Sequence, residues 1–170
     1  MDFDFSAAKQ AEKLDEKRRK LPEGMMFVDF VLEEEEQLIM LEIKDPSCKA
    51  KGGDSKAELA IQKQRDEFMK KLPKDAWIAE KLTPKARDSY TYLHLMERDT
   101  KPIIYVLLIG SENLSALDPA LLAAFKDRLL TRLRQEADQP WLRHYVYDCL
   151  VLTEKTWPLV FPQYPLTRIY

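Results

Sequence analysis

The chain has 170 residues, 45% of them apolar and 33% charged, and 27 basic against 29 acidic residues leave a formal charge of -2. That composition is too apolar for a disordered chain and fits one globular domain with a full core. It excludes a uniformly basic nucleic-acid binder, so any phosphate-binding surface must be local.

Met1–Lys9 is acidic and then charged, unlike a signal peptide, and no apolar run reaches the ~18 residues of a membrane span. The expectation is a cytoplasmic protein without a membrane partner. It forms a single domain over 1–170, with 157–170 as a proline-punctuated C-terminal tail. Cys48 and Cys149 match no disulfide or metal-ligand spacing and read as free thiols.

Ser6 is read as the cap of a helix to about Lys20, with Ala7, Ala11, Leu14 and Arg18 on one stripe, stopped by Pro22-Glu-Gly24. Met25–Leu32 and Gln37–Lys44 are apolar, strand-length segments separated by four glutamates, and predict an antiparallel hairpin covered on both faces. Ser55 and Glu58 form a capping box for a helix to about Leu72. Residues 74–87 carry a weak pattern. Ser89–Met96 reads as a strand from its aromatic and β-branched content, and Pro102–Ile109 as a buried strand. Asp118-Pro119 starts a helix to about Gln135, and Tyr145–Leu152 is a last strand. The order predicts an α/β fold with a central mixed sheet flanked by helices.

Chemistry concentrates in the hairpin. A turn centred between Glu35 and Glu36 opposes residues whose numbers sum to 71, which sets Asp29 across from Glu42. Opposed side chains share a face with Cβ atoms ~5 Å apart. Lys44, two residues beyond Glu42, joins that face by strand period. Its other members are Phe27, Val31, Leu38 and Met40, and acids among apolar neighbours need a counter-charge or a cation. Two carboxylates suit Mg²⁺, which keeps several waters, and the Lys44 ammonium would neutralise charge on a phosphoryl group.

Asp29, twelve residues, then Glu42-Ile43-Lys44, with both ends on strands, resembles the PD-(D/E)XK nuclease signature of restriction-endonuclease-like folds. The resemblance covers mainly residues 6–72. It implies that Asp29 and Glu42 ligate Mg²⁺ or Mn²⁺ with the Ile43 carbonyl, and that Lys44 is the catalytic lysine. It further implies phosphodiester hydrolysis, in DNA ahead of RNA, and a possible homodimer. The residue before Asp29 is Val28 rather than proline. Glu12 and Glu16 fall off the apolar stripe of the first helix, so the helix glutamate of many members is not carried over. Gln64, in the middle of the buried stripe expected of Ala57, Ala60, Ile61, Phe68 and Leu72, takes the place of the glutamine that some members add.

Between residues 49 and 74, eight basic residues face four acidic ones, and Lys49, Lys51 and Lys56 are the expected phosphate contacts. The alternative is a non-catalytic nuclease-like adaptor or subunit acting through protein contacts, with Trp157–Pro165 as the docking segment.

Overall fold

The computed structural model describes residues 1–16, 24–46, 55–112, 114, 117–136 and 138–168, with backbone alone at 55, 56 and 136. The chain begins with β1 (Asp2–Phe3), β2 (Gln10–Lys13), β3 (Phe30–Glu33) and β4 (Leu38–Lys44). Next come α1 (Ser55–Lys71), α2 (Asp75–Trp77), a π-helical turn (Ile78–Leu82) and α3 (Thr83–Leu95). β5 (Ile103–Ile109) and α4 (Pro119–Arg134) are followed by a ribbon of β6 (Gln135–Glu136) and β7 (Gln139–Pro140). β8 (Asp148–Thr153), α5 (Trp157–Val160) and β9 (Leu166–Thr167) complete it.

The central sheet has five strands in the order β2-β3-β4-β5-β8, antiparallel from β2 to β4 and parallel from β4 to β8. It is an α/β fold with a mixed sheet flanked by helices. Phe30 opposes Leu41 and Val31 opposes Met40, the register expected for a turn centred between Glu35 and Glu36. The Glu34 N–H donates to the Gln37 carbonyl at 2.9 Å and closes that turn.

Strand alternation divides the core in two. Val31, Leu38, Met40, Tyr105 and Leu107 face a layer that includes Phe68, Ile78, Ala86 and Phe125, which come from helices and the π turn. Leu32, Ile39, Leu41, Val106 and Leu108 face Trp157, Phe161 and Tyr164. With both faces covered, β4 and β5 tolerate continuous apolar sequence. The tail therefore packs on its own sheet: Trp157 Nε1 donates to the Tyr164 carbonyl at 2.7 Å, and β9 pairs with β1. Among its described residues, the aromatic side chains Trp157, Phe161 and Tyr164 are buried.

Two elements differ from expectation. Residues 6–9 form turns and 10–13 form β2, which takes the free edge of β3 where a helix was expected. The edge supplies backbone partners that a short helix with a weak stripe must make alone. Residues 17–23 lie outside the described set. The second difference is 89–96, which belongs to α3. Pro84 sits in the first turn, and Ala86, Ser89 and Leu93 are buried at helical spacing, so the aromatic content misleads there. His94 accordingly lies on a helix, 2.8 Å from Asp99.

Candidate active site

β3 and β4 part company at Asp29. The ladder between them ends at Phe30 and Leu41, and the next residue of β4 whose N–H faces β3 is Ile43. Its natural partner would be a β3 backbone carbonyl, but residues 26–28 are held by α3 instead. The Val28 N–H donates to Ser89 Oγ and the Met26 N–H to Asp88 Oδ2, both at 2.9 Å. Asp29 fills the gap: its Oδ2 accepts from the Ile43 N–H at 2.6 Å. In a strand the N–H and C=O of one residue face the same way, so the Ile43 carbonyl looks toward Asp29 as well.

Glu42 stands on the helix-facing side of β4 and is fully buried. Its Oε1 lies 2.5 Å from Lys44 Nζ and 3.0 Å from Lys85 Nζ, in ion-pair contact without an aligned hydrogen bond. The aligned hydrogen bond runs from Lys85 to Oε2 at 3.1 Å. Burial, then the neighbouring Asp29 carboxylate, hold the Glu42 carboxyl above its ordinary value, against the pull of Lys44 and Lys85. Burial alone would depress the Lys85 ammonium, but the charges of Glu42 and Asp29 outweigh it and raise the group. Asp15 reaches the cluster through Lys85, with its Oδ2 3.4 Å from Nζ.

The structure thus brings Asp29, Glu42, Ile43 and Lys44 to one place. Among the described residues, no three of His, Cys, Asp and Glu gather closely enough to hold a metal; the oxygen donors brought together here are the Asp29 and Glu42 carboxylates and the Ile43 carbonyl. Such a set fits Mg²⁺ or Mn²⁺, which bind through one or two carboxylates and otherwise through water and substrate oxygens. Glu42 already has the Lys44 and Lys85 ammoniums as counter-charges, and a cation would share its oxygens with them.

Lys85 has no counterpart in the sequence reading. It sits on α3, in a region whose pattern is weak, and the signal available was its helical spacing to Trp77 and Lys81. These three residues and Lys44 line an open cleft of about 480 Å³ with Lys71 and Lys74. A second cavity of about 520 Å³, beside Asp75 and Arg128, contains none of the site residues, and its Arg128 is tied to the Leu72 and Pro73 carbonyls and to Asp75.

No family model, curated protein or solved structure matches the chain.

Gln64 is exposed rather than buried. The stripe expected around it fails because α1 meets the core through its last turns alone, at Phe68 and Met69 with Leu72 just beyond, while Leu59 is 71% exposed. Lys49 and Lys51 lie outside the described residues, and Lys56 is described by its backbone on α1. Glu12 is on β2, paired with Arg98 at 2.5 Å.

Proposed function

We propose that the chain is a divalent-metal-dependent nuclease with a restriction-endonuclease-like fold, hydrolysing phosphodiester bonds in DNA ahead of RNA. The observation that carries the proposal is the parting of β3 and β4. It gathers the Asp29 carboxylate and the buried Glu42 carboxylate beside the Lys44 ammonium, and Lys44 in turn lines a lysine-rich cleft. The strand–helix–strand order after β4 is compatible with such a fold.

In this reading Asp29, Glu42 and the Ile43 carbonyl hold Mg²⁺ or Mn²⁺. The ion, when bound, polarises a phosphoryl oxygen and lowers the pKa of water. Asp29 is oriented for ligation by the Ile43 N–H, which leaves its second oxygen for the ion. Lys44, about a third exposed and lining the cleft, stands where it meets a phosphoryl group and neutralises charge that grows there during attack. Lys85 holds Glu42 as a carboxylate until the ion arrives.

The test is cleavage of single- and double-stranded DNA and RNA across a Mg²⁺ or Mn²⁺ titration. Wild type cleaves with metal and stops with chelator, and Glu42→Ala and Lys44→Ala each lose about 100-fold or more. Undiminished cleavage in both variants dismisses the site.

A further inference from the structure

Resting on the nuclease reading of the site, we infer that the cleft beside Glu42 is built for one polynucleotide strand. Phosphates run along Lys71, Lys74 and Lys81, and a base enters the recess of Met26, Phe68 and Trp77. The lysines arrive from three places: the end of α1, the turn that follows it, and the π-helical turn. Their side chains are exposed and make no ion pair among the described residues, unlike Lys9 with Glu35 or Lys101 with Glu33. Glu80 is the one acid among the lining residues. Like charges so collected repel one another, and a polyanion is the ligand that turns the repulsion into binding.

The π-helical turn sharpens the arrangement. Such turns are rare, are frequent at functional sites, and have a wider turn than an α-helix. Steps of four residues therefore stay closer to one line, and Trp77, Lys81 and Lys85 all open on the same cleft.

The interior of the cleft selects among polyanions. Met26, Phe68, Ala76 and Trp77 are apolar, which a free phosphate does not need and a nucleobase does. At about 480 Å³ the space matches a small-ligand pocket, on the order of 300–1,000 Å³. It takes a nucleotide or two but not a duplex, whose bases are stacked and paired inside. A strand lying over Lys71, Lys74 and Lys81 is led to Lys44 and Lys85, and so to Glu42.

The experiment is fluorescence anisotropy in chelator, where no cleavage occurs. The full chain is titrated with a short labelled oligodeoxythymidine, and with a blunt hairpin duplex of mixed sequence as comparison. The strand is expected to bind at least about 10-fold more tightly than the duplex. Replacing Lys71, Lys74 and Lys81 together by Ala is expected to weaken strand binding at least 10-fold. It should also reduce the slope of log affinity against log salt by about 2, at ~0.7 per lost phosphate contact. These residues are exposed, and an unchanged melting temperature verifies the fold. Glu42→Gln is expected to keep strand binding while abolishing cleavage with metal. Equal affinity for the duplex, or an unchanged affinity and salt slope in the triple variant, overturns the inference. Because strand binding is read without metal, a wild-type protein that binds the strand but does not cleave it with metal removes the nuclease reading alone, and a Glu42→Gln protein that still cleaves removes Glu42 from the site.

Discussion

The Ile43 N–H donates to Asp29 Oδ2 at 2.6 Å, so a side chain completes the β3–β4 hairpin where its backbone ladder stops. One carboxylate thus has a structural and a proposed catalytic duty, and substitutions separate them. Asp29→Ala orphans the Ile43 N–H and is expected to cost about 1–3 kcal/mol in urea denaturation. Asp29→Asn keeps an acceptor and recovers most of that stability, yet loses the metal-induced rise in melting temperature. A rise that survives in Asp29→Asn contradicts ligation by this residue.

Lys85 is held against a buried carboxylate, and removing it leaves Lys44 as the direct counter-ion of Glu42. Lys85→Met is expected to destabilise the chain by about 1–3 kcal/mol, since the buried Oε2 loses its hydrogen bond and Lys44 alone then balances the charge. Adding Glu42→Gln removes that charge and should recover much of the loss. A double-mutant cycle without coupling, read by chemical denaturation, speaks against the pair.

Ser89 is buried, and its Oγ accepts from the Val28 N–H. Ser89→Ala is expected to cost about 1–3 kcal/mol through the orphaned N–H. Amide hydrogen exchange should locate the loosening at Val28, where α3 holds the β3 extension away from β4. Protection unchanged at Val28 would show that the extension is fixed by other contacts.

Glu42 titrates above the ordinary glutamate value of 4.5, because burial and Asp29 disfavour its charge. The folded chain therefore binds this proton more tightly than the unfolded chain. The stability it contributes is complete below the unfolded value and is lost as pH rises through the folded one. Relative to Glu42→Gln, the wild type is expected to lose stability over that rise in metal-free urea titrations. Protons and cations compete for the same oxygens, so metal-induced stabilisation should fade, as pH falls, before 4.5 is reached. A difference between the two proteins that does not vary with pH contradicts the assignment.

The hairpin was legible in sequence because its signals are local. The glutamate run fixes the turn, and a period of two then fixes which side chains share a face with Glu42. β2 was not legible, because Gln10–Lys13 becomes a strand by pairing with β3, a partner some twenty residues away that leaves no local periodicity. Lys85 was hidden for a related reason: packing of α3 against β4 brings it across 43 residues to Glu42. Gln64 shows the reverse failure. Apolar spacing along α1 suggests a buried stripe, but burial depends on what lies opposite, and the core meets this helix near Phe68 and Leu72.

The most direct test of the shared carboxylate site is Mn²⁺ binding followed by electron paramagnetic resonance of the full chain. Wild type is expected to bind saturably, with Mg²⁺ competing. Asp29→Asn and Glu42→Gln, with the fold verified by circular dichroism, should each bind at least about 10-fold more weakly. Binding of equal strength in both variants would mean that these two carboxylates do not share an ion.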